Sequence, residues 1–145
     1  MVEPCTAEAL AELLERHFAE HRPRVTHEKL LQEDVHAALV AGCTEGRGVR
    51  REHSLSASER LDFFVGDFVD REEHGVRTVS CPAGVAVELK VAGSPADVQR
   101  QLWRYTRHAS VRGVLLVTTK HRHRRCTGAF DGKPVVVLHL GDYLL

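Results

Sequence analysis

Residues 111–119, Val-Arg-Gly-Val-Leu-Leu-Val-Thr-Thr, form one continuous apolar run with a single charge near its start. A run this short and this apolar reads as a strand buried on both faces, and such strands belong to sheets covered by helices. The segment before it is helical: Ser94 suits the N-cap and Pro95 the first turn of a helix that runs to about His108. Ahead of that helix stands another apolar strand, residues 84–91. Two buried strands joined by a helix require a crossover, so the chain must build a mixed sheet flanked by helices.

The remaining elements fit around that unit. Leu10, Leu13, Leu14, His17 and Phe18 recur at helical spacing in residues 7–20, with Thr6 as N-cap. Pro23 separates this helix from a second, about 28–41, whose buried stripe is Leu31, Val35, Ala38 and Leu39. Gly42, Gly46 and Gly48 end it and make a loop. A short polar strand at 49–55, a turn at 56–59 and a strand at 60–65 follow. Residues 66–83 form a long acidic connection with room for a short strand at 76–80, and residues 134–140 supply the last strand. The expected order is α-α-β-β-β-α-β-β.

A length of 145 residues suits one domain, with residues 1–25 as an N-terminal helical extension. No apolar run approaches the roughly 20 residues that cross a bilayer. Met-Val-Glu-Pro-Cys has neither the basic start nor the apolar stretch of a secretory signal, so the expected location is the cytoplasm. The four cysteines, at 5, 43, 81 and 126, include no C-x-x-C pair, which argues for reduced thiols and against a zinc ribbon. Net charge is zero, but its distribution is uneven. From Arg100 to Arg125 there are eight Lys or Arg residues and no Asp or Glu. That one-signed stretch fits either a polyanionic partner or a solvated surface balanced by the acidic N-terminal half.

Charges inside the apolar strands narrow the function. Asp62 interrupts Arg60-Leu-Asp-Phe-Phe-Val65, and Glu88 and Lys90 interrupt the strand at 84–91. Positions i and i+2 of a strand share a face, so Glu88 and Lys90 point one way and Leu89 points into the core. Charges on otherwise buried strands are costly unless they bind a metal or do chemistry. Carboxylates of Asp62 and Glu88 on adjacent strands can meet at one point, where a hard cation such as Mg²⁺ or Mn²⁺ prefers oxygen ligands. The carbonyl of Leu89 lies between the two charged side chains as a third ligand. Lys90 is placed to hold or deprotonate a metal-bound water and to stabilise charge on a phosphate, the needs of phosphodiester hydrolysis. Taken alone, E-x-K reads more simply as ordinary residues on a solvated strand edge.

Asp62, Glu88-x-Lys90 and Gln101-x-x-x-Tyr105 together resemble the PD-(D/E)XK nuclease superfamily, in its RecB-like branch with the QxxxY helix. The resemblance spans roughly residues 28–120, with Leu61 where the family name has Pro. It implies a restriction-endonuclease-like α/β fold and a Mg²⁺- or Mn²⁺-dependent deoxyribonuclease. It also implies an acidic ligand on the helix before the sheet. Glu28 and Asp34 each lie about 60° from the Leu31 centre of the buried stripe, and Glu33 about 160° away. Glu28 matches the family spacing best, with Asp34 second. The expected metal set is therefore Glu28, Asp62, Glu88 and Leu89, with Lys90 activating water.

The resemblance further implies that Gln101 and Tyr105, four apart on one helix face, steady Lys90 and contact nucleic acid. Arg104 and Arg107 are then phosphate contacts, since Arg favours bidentate phosphate bonding. Trp103 reads as core packing. His121-x-His123 with Cys126 offers three zinc ligands but no convincing fourth, so the basic segment with Arg122, Arg124 and Arg125 reads as a phosphate-contacting loop. DNA is the expected partner, with DNA structure, a homodimer or a recruiting protein as the source of specificity. The alternative is a nucleic-acid-binding module that keeps the fold and does not cut.

Overall fold

The structure, a computed structural model, describes residues 5–43, 47–80 and 83–141. Its chain order is α1 (Ala7–Glu20), α2 (Glu28–Gly42), β1 (Arg47–Ser54), β2 (Arg60–Asp67), β3 (Val69–Glu73), β4 (Val76–Ser80), β5 (Gly84–Lys90), α3 (Pro95–Thr106), β6 (Val111–Thr118), a 3-10 helix (His121–Cys126), β7 (Gly128–Phe130) and β8 (Lys133–His139). Six strands form one mixed sheet in the order β1-β2-β5-β6-β8-β7. β1, β2 and β5 are antiparallel neighbours, β5, β6 and β8 run parallel, and β7 returns antiparallel along β8. The crossover required by the two apolar strands is thus β5-α3-β6.

Burial explains this arrangement. Every residue from Val85 to Leu89 and from Gly113 to Thr118 is buried, as central strands covered on both faces must be. On one face α1 contributes Leu10, Leu14 and Phe18, and α2 contributes Leu31, Val35 and Leu39, to a core with Phe63, Val87, Leu89 and Leu115. The N-terminal helix therefore shares the main core. Thr6 caps it, its hydroxyl accepting from the Ala9 N–H at 3.1 Å. On the other face α3 buries Val98, Leu102 and Tyr105 against Phe64, Ala86, Val114 and Leu116. Each such aliphatic side chain contributes about 1.5–3 kcal/mol.

Three features depart from the expected order. Part of the acidic connection folds as a β3–β4 hairpin, a two-stranded sheet of its own. Its two-residue turn, His74-Gly75, has both φ angles positive, the geometry whose twist matches paired strands. Asp131-Gly132 does the same between β7 and β8, adding an edge strand. The basic segment after β6 is a 3-10 helix, not an open loop. Trp103, expected in the core, is 40% exposed, because the buried stripe of α3 runs through Val98, Leu102, Tyr105 and Thr106. Its ring meets Phe130 edge-on, at 5.0 Å between centroids. Among the described residues no disulfide joins Cys5, Cys43 and Cys126, and Cys81 lies outside them.

Gly84 sets how closely β5 approaches β2. A Cβ added there would lie 2.6 Å from the Val65 carbonyl oxygen, and a backbone atom cannot turn aside as a side chain can. Gly84→Ala is expected to destabilise the protein by about 1–3 kcal/mol, the usual cost of overpacking. Chemical denaturation of the two proteins, with unchanged m-value, checks this.

Candidate active site

β2 and β5 part company at the row that carries the acids. Their ladder runs from Gly66↔Gly84 to Phe63↔Val87. One step further, Asp62 would face Glu88. Instead the Asp62 carboxylate takes over as acceptor, and the Leu89 N–H donates to it at 2.8 Å. β2 also rolls at this point: Phe63 belongs to the core under α1 and α2, whereas Leu61 belongs to the core under α3. A regularly pleated strand would keep both on one face. Within a strand the N–H and C=O of one residue point to the same flank, so the Leu89 carbonyl also faces the Asp62 side.

Glu88 is held deep. Its side chain is 5% exposed, and its Oε2 has no hydrogen-bond partner. Lys90 lies two residues on along the same strand, its Nζ 3.8 Å from Glu88 Oε1, a long and partial compensation. Burial, then the nearby charge of Asp62, push the Glu88 carboxyl up to about 8, while Lys90 pulls the other way. Metal-free, Glu88 therefore carries a proton at neutral pH.

α3 closes the other side. Gln101 Nε2 donates to the Tyr105 hydroxyl at 2.6 Å, as the four-residue spacing requires. That hydroxyl in turn reaches the Arg60 carbonyl at 3.4 Å and neighbours Glu88. Burial, followed by the charge of Glu88, raises the Tyr105 phenol above its ordinary value, so it stays a neutral donor. α3 is anchored at both ends. Lys133 Nζ donates to the carbonyls of Thr106 and His108 at 2.7 and 2.8 Å, capping the helix C-terminus. At the N-terminus, Ser94 Oγ accepts from the Asp97 N–H.

The basic 3-10 helix is tied to the loop that follows Lys90. Buried His123 bonds the Thr118 hydroxyl through Nδ1 at 2.6 Å and donates from Nε2 to the Gly93 carbonyl at 2.8 Å. Arg122 Nε donates to the same carbonyl at 3.0 Å. Cys126 Sγ donates to the Pro95 carbonyl. His123 and Cys126 are thus occupied as structural ties. Arg104, Arg107, Arg122, Arg124 and Arg125 are all exposed.

The structure brings Asp62, Glu88, Leu89, Lys90, Gln101 and Tyr105 together. It does not bring Glu28 to them: that residue is exposed in the first turn of α2. Asp34, the second choice, is taken by Arg24 at 2.6 Å, and Glu33 by Arg51 at 2.8 Å. Among the described residues no three His, Cys, Asp or Glu side chains converge as a metal cluster. Gln32, Arg51 and Glu52 do not stand out in the sequence, yet they share a small crevice with Asp62 and Phe63. The turn at 56–59 held the signal, because a hairpin centred there sets Glu52 opposite Asp62.

No family model and no curated protein matches the sequence. Among solved structures, the chain is similar to the small subunit of the heterodimeric restriction endonuclease R.BspD6I. The TM-score is 0.41 at 13% identity, over 92% of this chain and 72% of that one. Among the described residues no helix is long and apolar enough to cross a membrane.

The elevated Glu88 value has a consequence for stability. Between about pH 4.5 and 8 the folded protein holds a proton on Glu88 that the unfolded chain releases, so stability falls as pH rises through that window and levels off above it. Glu88→Gln removes this dependence. In EDTA, the variant should gain roughly 2–5 kcal/mol over wild type at pH 8 and little at pH 4.5. Thermal melts of both proteins across that range test the difference, in which the titration of groups distant from Glu88 cancels.

Proposed function

We propose that the chain is a metal-dependent nuclease that hydrolyses phosphodiester bonds in DNA. The observation that carries this reading is the buried, partnerless oxygen of Glu88 beside a second carboxylate, Asp62. A structural ion pair would satisfy both oxygens. A cation-binding carboxylate leaves one for its ligand. The donor set of Asp62, Glu88 and the Leu89 carbonyl is all oxygen, which fits Mg²⁺ or Mn²⁺ better than a softer metal.

When bound, such an ion supplies a polarised phosphoryl oxygen and a water of lowered pKa. The protein's own residues do the rest. Glu88, deprotonated, would join Asp62 as a ligand, the charge of the ion offsetting the repulsion between the two carboxylates. Lys90 orients the attacking water and offsets charge on the phosphate. Tyr105, oriented by Gln101, keeps its hydroxyl aimed at the Glu88 end of the site. Arg104, Arg107, Arg122, Arg124 and Arg125 supply exposed cations for the DNA backbone, and the restraint of Arg122 by Gly93 places one of them beside the Lys90 strand. The absence of a third converging acid among the described residues favours one alternative, a nucleic-acid-binding module that does not cut.

The two readings separate on labelled single-stranded, duplex and four-way-junction DNA assayed with Mg²⁺, Mn²⁺ or EDTA. Asp62→Asn should abolish metal-dependent cleavage and leave DNA binding largely intact. Lys90→Ala should lower turnover by about 10²–10⁴-fold, since the water loses its activating neighbour. Wild-type protein inert on all three substrates would favour the binding module, and cleavage surviving Asp62→Asn would remove the site.

Binding has its own test. Replacing Arg122, Arg124 and Arg125 with Ala should weaken duplex binding. The slope of log affinity against log salt should become shallower by roughly 0.9 for each phosphate that is no longer neutralised. An unchanged salt slope would place the 3-10 helix outside the interface.

A further inference from the structure

Glu52, Asp62 and Glu88 stand in one row across three adjacent strands. The β1–β2 register pairs Arg51 with Phe63 and His53 with Leu61, which leaves Glu52 opposite Asp62. The next step of the β2–β5 register sets Asp62 against Glu88. Both ladders are interrupted at this row. On β2 the cause is the Asp62 carboxylate, turned to the Leu89 N–H. On β1 it is the backbone of Glu52, whose φ is +49°. A left-handed backbone at a residue other than glycine is strained, and such residues gather at functional sites.

The surroundings leave Glu52 available. It is exposed, and it shares a crevice with Gln32, Arg51, Asp62 and Phe63. Arg51, the cation of that crevice, is taken by Glu33 at 2.8 Å. The acids of α2 do not compete: Asp34 is bound to Arg24, Glu33 to Arg51, and Glu28 stands exposed in the first turn. Apart from the register, the partnerless Oε2 of Glu88, a side chain only 5% exposed, points to a ligand in this row.

We infer that Glu52 is the third carboxylate of the cation site, supplied by β1 and acting on the ion through its water. The inference rests on the reading of Asp62 and Glu88 as a cation site. Glu52 does not converge with those two in a metal cluster, so its part is outside the direct ligands. Mg²⁺ and its relatives bind through one or two carboxylates and keep several waters, whose hydrogens need acceptors. A carboxylate in that position orients the water shell and tightens the site, which makes Glu52 a positioning residue.

The test uses Mn²⁺ alone, titrated into the full chain without nucleic acid and followed by the paramagnetic resonance of the free ion. Glu52→Gln should weaken Mn²⁺ binding by about 10–100-fold, the usual effect of losing a group that orients metal ligands. Glu52→Asp should recover part of the affinity, and the metal-free melting temperature of both variants should stay near wild type. Wild-type affinity in Glu52→Gln, with binding lost in Asp62→Asn, would overturn the role of Glu52 and leave the site itself standing. Weakened binding in Glu28→Gln with normal binding in Glu52→Gln would return the third acid to α2. Wild-type protein that binds Mn²⁺ no better than Asp62→Asn would overturn the cation site and Glu52 with it. If Glu52→Gln fails to fold, Glu52→Asn, which tolerates a positive φ, supplies the same comparison.

Discussion

A carboxyl group buried on a central strand, with one oxygen unpaired, is the constraint on which the site depends. β5 must be covered on both faces to serve as the middle strand of the β2-β5-β6 core, and a glutamate there loses its hydration. Asp62 makes the position worse by repulsion, and Lys90 at 3.8 Å relieves it only in part. Two species can settle such a place. A proton does so at neutral pH when nothing else is bound, and a divalent cation does so by using both carboxylates at once. The fold thus holds a site whose charge is unbalanced until something positive arrives.

The surrounding structure keeps that unbalanced charge from relaxing away. Asp62 cannot swing clear, because its carboxylate stands in for a backbone acceptor at Leu89. Tyr105 cannot retreat, because α3 is held at its C-terminus by Lys133 and at its N-terminal end by the Cys126 thiol. The loop after Lys90 is pinned through Gly93 by His123 and Arg122. Residues that resemble zinc ligands in the sequence are therefore part of the scaffold for the strand bearing Lys90. Preorganisation of this kind lets charged groups act without rearrangement at the moment of reaction.

The central fold was legible because burial leaves a mark in sequence. Apolar runs at 84–91 and 111–119, with Ser94-Pro95 between them, require the crossover whatever else the chain does. Glu88 and Lys90 were legible for the same reason, as charges out of place in such a run. Other elements were harder to read. β4 is the short strand allowed for at 76–80, but its partner β3 is harder to see, because residues 70–73 and all of β4 are exposed and carry no alternation of apolar and polar residues. Asp131-Gly132 did carry a hairpin signal, but β7 is only three residues long and gives that signal little to act on. Trp103 misled because an aromatic on an amphipathic helix is usually inside, whereas here Leu102 and Tyr105 fix the buried face roughly 100° and more away from it. The case for Glu28 rests on spacing along α2. Spacing gives an angle about the helix and says nothing of how far its first turn stands from the sheet. The position of Glu52 opposite Asp62 is not visible in either segment alone, because it lies in cross-strand register.

The most direct measurement is a crystal structure of the protein grown with Mn²⁺, with data collected to give the anomalous signal of that ion. An anomalous peak is expected between Asp62 and Glu88, within coordination distance of an oxygen from each and of the Leu89 carbonyl. Glu88 Oε2 should then have the ion as its partner. Well-ordered Asp62 and Glu88 with no peak between them at saturating Mn²⁺, or Lys90 closed onto Glu88 as a simple ion pair, would contradict the cation site.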